Sequence, residues 1–241
     1  KVSRKQAIEY PGHSQRARRS DGLGLPMRQR LPAGSDPADT LVVLDFETTG
    51  LSPNQGDRVI EVGAVLIEQG QITRRFQSLM NPGFPVNRFI ESYTGISNEM
   101  LGAAAPCHQA IEEFSQFLGD YNFVAHNAAF DWRFLDSEFG RIKHAYRGNF
   151  ACSMLVARRL YRDAPDHKLG TLVDYQNIPN DGVFHRALAD SEMTAQLWIR
   201  MLTLITERYA LTSPSFALMQ KIARTPSAGV DHYLTHCDAK R

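Results

Sequence analysis

Residues 41–46 are apolar except for Asp45, the run expected of a strand buried on both faces of a sheet. Strand-like runs follow at 58–68 and 71–80, and Gln69 and Gly70 between them suit a tight hairpin. The pattern then changes. Residues 110–118 have helical spacing, Phe123–Ala125 is another short apolar strand, and 128–139 is helical again. Residues 152–161, 169–176 and 187–204 read as helices, the last the longest, with one more near 216–222. Strands in a run, then strands mixed with helices, predict an α/β fold with a mixed sheet.

Composition removes several classes. The 241 residues are 43% hydrophobic and 22% charged, ordinary globular values that exclude a coiled coil, a collagen-like chain and a wholly disordered one. No stretch approaches the ~18 apolar residues of a membrane span, so no membrane partner is expected. Cys107, Cys152 and Cys237 are odd in number and widely spaced, against a disulfide framework or a paired-cysteine zinc site. A cytoplasmic, reducing compartment is the expectation.

The formal net charge of +1 conceals an asymmetry. Residues 1–38 carry eight basic and three acidic groups, while the rest of the chain carries 19 basic and 23 acidic. The 1–38 segment, rich in Arg, Gly, Pro and Ser, reads as a loosely structured basic arm. It carries no apolar segment of the secretory-signal type. Such an arm is most often a solvated tail, and the sharper alternative is that it tracks a nucleic-acid backbone. Residues 39–206 then form the main domain, and 207–241 a helical extension and tail.

Three polar clusters stand at the ends of these elements. Asp45 and Glu47, two apart on a strand, point to the same side just before Thr48, Thr49 and Gly50 turn the chain. Paired carboxylates need a compensating cation, and hard oxygen donors suit Mg²⁺ or Mn²⁺; taken alone, though, such a pair is commonly a solvated strand end. His126, Asn127 and Asp131 lie where the 123–125 strand passes into a helix, with Asn127 placed to be its N-cap. Asp190 falls early in the long helix, with His185 just before it. Each of the latter two clusters has a plain alternative as helix-starting chemistry.

In this order the clusters resemble the three motifs of the DEDDh, or DnaQ-like, 3′→5′ exonuclease superfamily. The first is DxE at Asp45 and Glu47, the second ends at Asp131, and the third runs from His185 to Asp190. The resemblance covers about residues 41–204 and extends to 60–64 and 93–97. By pattern it is nearest to the DNA polymerase III epsilon and ribonuclease T branches. It implies a ribonuclease H-like fold, a mixed five-stranded sheet flanked by helices. It further implies two divalent ions (Mg²⁺ or Mn²⁺) per active site, held by Asp45, Glu47, Asp131 and Asp190. His185 would be the general base in hydrolysis that releases nucleoside 5′-monophosphates from single-stranded or frayed 3′ ends.

The resemblance places Thr48, Gly50 and Leu51 at the pocket for the last nucleotide, with Leu51 either wedged on a base or packed in the turn. Tyr93, in an expected loop, is a candidate for stacking on bases, and Asn127 and Phe130 are further candidate contacts. Core packing is the stronger expectation for Phe130 and for Phe46. A DNA polymerase partner and a homodimer are both open. The alternatives are an RNA-processing enzyme of the ribonuclease T type, a dinucleotide-cleaving enzyme, and a catalytically silent nucleic-acid- or polymerase-binding module on the same fold.

Overall fold

A computed structural model describes residues 36–180 and 186–237. These residues fall in one unit, 31–241.

The apolar run at the start of the domain forms β1 (Leu41–Thr48), the centre of the sheet. β2 (Val59–Glu68) and β3 (Gln71–Asn81) follow antiparallel, joined by the expected tight turn. Gln69 and Gly70 both take positive φ there, 52° and 75°, the geometry of a two-residue hairpin that follows the twist of its strands. Two short helices, α1 (Arg88–Thr94) and α2 (Asn98–Ala103), start from the side-chain caps Asn87 and Ser97. β4 (Ala105–Pro106) then pairs with β3, and α3 (Cys107–Leu118) leads to β5 (Phe123–Ala125). After α4 (Ala129–Arg141) come β6 (Phe150–Cys152), α5 (Ser153–Leu160), α6 (Leu169–Tyr175), the long α7 (Ala187–Tyr209), α8 (Phe216–Arg224) and α9 (Ser227–Thr235).

Among the described residues the sheet has six strands, in the order β4-β3-β2-β1-β5-β6, where five were expected. The extra member is the two-residue β4, too short to leave any alternation in the sequence. β1–β5 and β5–β6 pair in parallel, so the sheet is mixed as expected.

Alternation along β1 assigns its two faces. Val42, Leu44 and Phe46 face a core built with α3 and α4; Phe46 is 4% exposed and packs edge-on against Phe114. Leu41 and Val43 face a second core with α5 to α9. Asp45 and Glu47 continue this second face. α7 is fixed there by Leu197, Trp198, Met201 and Ile205, all 0% exposed. Each such side chain contributes about 1.5–3 kcal/mol on burial, so packing anchors the body of the helix that carries Asp190. α8 and α9 share this core through Phe216, Met219, Ile222, Val230 and Leu234. Among the described residues no helix is long and apolar enough to cross a membrane.

Candidate active site

Parallel pairing of β1 and β5 sets their C-terminal ends side by side, where an open α/β sheet gathers its ligands. β1 ends in Asp45 and Glu47. β5 leads into α4, whose first turn carries Asp131, and α7 brings Asp190 in its own first turn. One carboxylate oxygen from each of Asp45, Glu47 and Asp190 lies within 4.8 Å of the other two. Asp131 stands outside that group of three, yet among the neighbouring charges it acts most strongly on Asp45.

Burial and mutual repulsion dominate these carboxylates. Glu47 and Asp190 are each 8% exposed, and Asp131 is 2% exposed. Burial, followed by the charges of Asp131, Asp190, Glu47 and Glu61, holds the Asp45 carboxyl well above the usual range. Burial together with Asp190 and Glu61 pushes Glu47 up to about 8, against the relief of Arg186. Burial raises Asp131 to about 7, although the Phe46 amide and its own favour the charged form. One oxygen of Asp131, Oδ1, is buried without a hydrogen-bond partner.

These residues fit a divalent cation. The donors are all hard oxygens, they converge, one buried oxygen lacks a partner, and burial and mutual repulsion disfavour the ionised cluster unless positive charge is added. A stability signature follows. Between their ordinary values and the raised folded values, the folded chain binds more protons than the unfolded chain, so stability falls as pH rises. The urea midpoint of the metal-free chain should therefore drop between pH about 4 and about 8, as Glu47 and Asp131 are forced to ionise. Mn²⁺ should restore it at pH 8. A midpoint that rises with pH in EDTA would contradict this.

The turn after β1 is braced by Asp57, a residue with no motif around it to signal that role. Its carboxylate accepts from Thr49 Oγ1 at 3.1 Å and from the Ser52 amide at 3.0 Å. A Cβ on Gly50 would overlap that carboxylate, so a larger residue there would displace the Asp57 brace. Thr48 Oγ1 donates to the Gly50 carbonyl at 2.6 Å. Leu51 is 77% exposed at the tip, which removes turn packing as its role.

Tyr93 sits in the last turn of α1, not in a loop; Asn87 and Gly95 cap that short helix. It is 51% exposed and stacks on Phe89, which is 71% exposed, with centroids 5.8 Å apart and planes at 14°. Burial and then the charges of Glu47, Asp190 and Asp45 raise its hydroxyl.

Asn127 is not the N-cap of α4. It takes φ 73°, a left-handed conformation that Asn tolerates, and the cap position falls to Ala128. The left-handed residue reverses the chain sharply out of β5, and its own carbonyl accepts from the Phe130 amide at 2.9 Å. Asn127 itself is exposed at the turn. Phe130 packs on Phe134, centroids 5.0 Å apart, against the α3–α4 core. His126 is a structural residue: Nδ1 meets Ser153 Oγ and Nε2 meets the His167 carbonyl, both at 2.9 Å, and burial lowers its pKa.

Two ion pairs also leave no local signal in the sequence. Arg58 makes a two-point contact with Glu138 of α4 at 2.6 and 2.8 Å, tying the helix of Asp131 to the start of β2. Arg186 makes another with Glu61, which is 0% exposed, at 3.2 and 2.9 Å. His185 lies outside the described residues.

A mixed sheet whose central strand ends in carboxylates, joined by one from a helix start, is an α/β arrangement suited to holding a divalent cation. Comparison with known proteins narrows it. Residues 42–198 match the exonuclease family RNase_T, and the chain belongs to that family, within the DnaQ-like 3′→5′ exonuclease superfamily. It is 35% identical over 166 residues to a DNA polymerase III PolC-type of Caldanaerobacter subterraneus, covering 69% of this chain and 12% of that protein. It is 33% identical over 200 residues to the 3′-5′ exonuclease DinG of Bacillus subtilis, covering 80% of this chain and 20% of that protein. The chain thus spans at most a fifth of these relatives' length. In fold it resembles an exonuclease X solved with 5′ overhanging duplex DNA, with a TM-score of 0.59, 24% identity, and coverage of 76% of this chain and 99% of that one.

Proposed function

We propose that residues 39–206 form a metal-dependent 3′→5′ exonuclease unit that releases nucleoside 5′-monophosphates from single-stranded or frayed DNA 3′ ends, of the polymerase-associated proofreading or repair type. The observation that carries this reading is the convergence of Asp45, Glu47 and Asp190 within 4.8 Å at the end of β1. Asp45, Glu47, Asp131 and Asp190 would hold two divalent ions, Mg²⁺ or Mn²⁺. When bound, such ions stabilise charge on the attacking and leaving oxygens of an in-line displacement.

The chain's own residues supply the remaining parts. His185 takes the proton from the attacking water. The Thr48–Leu51 turn, held by Asp57, receives the last nucleotide, its backbone toward the 3′-OH and Leu51 against the base. Tyr93, backed by Phe89, stacks on a neighbouring base, and aromatic faces accept any of the four. Asn127, exposed in the turn after β5, and Phe130 of α4 are further candidate contacts. The preference for DNA rests on the DNA polymerase III PolC-type relatives; a polymerase partner and a cytoplasmic setting are part of the same proposal.

Tyr93→Ala should raise KM for a single strand by about tenfold and leave kcat nearly unchanged, since one stacked base contributes ~1–3 kcal/mol. An unchanged KM would remove Tyr93 from the substrate groove. The wider proposal is tested by matched 3′-OH DNA and RNA oligonucleotides, single- and double-stranded, beside a dinucleotide, with Mg²⁺ or Mn²⁺. The expected order is single-stranded DNA first. Faster cleavage of RNA or of the dinucleotide would overturn the substrate assignment.

A further inference from the structure

We propose that Glu61, Gly63 and Ser191 are positioning residues that clamp the first turn of α7 onto β2 and so set the approach of Asp190 to Asp45 and Glu47; this rests on the functional reading above.

The register of the sheet points to it. Asp45 pairs across β1–β2 with Gly63, and Glu47 pairs with Glu61. Cross-strand partners project to the same face. Each site carboxylate of β1 therefore has beside it a β2 residue turned toward α7, and both β2 residues grip that helix.

Glu61 is a carboxylate at 0% exposure in a strand whose other residues from Val59 to Ile67 are apolar or glycine. Its oxygens accept from Arg186 Nε at 3.2 Å and Nη2 at 2.9 Å, from the Ala187 amide at 3.1 Å and from Gln77 Nε2 at 2.8 Å. The N-cap of α7, Arg186, makes no side-chain cap bond, so Glu61 on another strand satisfies one of the open amides at the helix start. Gly63 acts by what it lacks. A Cβ there would overlap the Leu188 nitrogen and the Ala187 carbonyl carbon, both helix backbone. Unlike a flexible side-chain tip, that backbone yields only by moving the helix. Ser191, next to Asp190, donates from Oγ to the Gly63 carbonyl at 2.8 Å. The Asp190 amide closes the turn on the Arg186 carbonyl at 3.0 Å. Helix backbone, strand backbone and a buried carboxylate thus fix the first turn, and Asp190 is carried on it.

The test uses the whole chain and the variants Gly63→Ala, Glu61→Gln and Ser191→Ala. Mn²⁺ affinity is measured by titration without substrate, alongside kcat and KM on a single-stranded 3′ end and the melting temperature. Ser191→Ala removes a single bond and serves if Gly63→Ala fails to fold. Below their melting temperatures the folded variants should bind Mn²⁺ at least tenfold more weakly and lose kcat at least tenfold, with KM little changed. Glu61→Gln keeps the shape but cannot accept from all four donors, so it should fall with the others. Folded variants that keep wild-type Mn²⁺ affinity and kcat, merely melting lower, would overturn the clamp and leave the functional reading intact. A wild-type chain that takes up no Mn²⁺ would overturn that reading, and the clamp with it.

Discussion

Asp45→Asn is expected to abolish hydrolysis, by about 10³-fold or more, while making the metal-free chain more stable at neutral pH. The loss follows from position. Asp45 converges with Glu47 and Asp190, and the charges of Asp131, Asp190, Glu47 and Glu61 all act on it, so a cation held by the group would be held in part by Asp45. A bound divalent ion supplies several kcal/mol of charge stabilisation, and each ~1.4 kcal/mol is tenfold in rate. The gain in stability follows from the same charges. The carboxyl of Asp45 is raised well above its ordinary value, so keeping it ionised at pH 7 costs folding energy that a neutral amide of the same size does not. Mn²⁺ affinity, nuclease rate and melting temperature in EDTA read the three effects together. A variant that loses activity because it unfolds would melt lower, and one that keeps wild-type turnover would remove Asp45 from the site.

His185→Ala should lower kcat by about 10²–10⁴-fold, the usual contribution of a positioned general base. Mn²⁺ affinity should stay near wild type, since the carboxylates that hold the ion are untouched. The contrast with Asp45→Asn is the informative part: one variant loses metal and rate together, the other loses rate alone. The pH profile separates them further. The acid-side fall of kcat should vanish in His185→Ala, while the acid-side loss of metal affinity, a property of the carboxylates, should persist. A wild-type profile that is flat from pH 5 to 8 would count against His185 as the base.

Local chemistry makes the central strand and the Asp45–Glu47 pair legible in the amino-acid sequence alone. The run at 41–46 is apolar on both faces, and a two-residue spacing on a strand puts Asp45 and Glu47 on one side. Residues whose roles depend on distant partners are not legible in this way. Glu61 looks like an isolated polar break in a buried strand until Arg186 and Ala187, more than 120 positions away, are brought to it by the crossover of α7. Asp57 has no local mark of its role, because the turn it braces exists only once β1 and β2 pair. β6, Phe150–Cys152, runs straight into α5, so its end is absorbed into the helical reading of 152–161. Asn127 sits where a cap belongs by sequence, but the sharp exit from β5 demands a left-handed residue and Asn is one that tolerates it. The C-terminal segment reads as an appendage by composition, whereas the apolar faces of α8 and α9 complete the core beneath α5 and α7.

The central claim is that this carboxylate cluster is a nuclease centre acting at 3′ ends. It is tested most directly by incubating the full chain with Mn²⁺ and single-stranded DNA labelled at either end. Immediate release of labelled nucleoside 5′-monophosphate from the 3′ label and a stepwise shortening ladder from the 5′ label are expected, and neither in EDTA. Internal cuts, release from the 5′ end, or the same products in EDTA would contradict it.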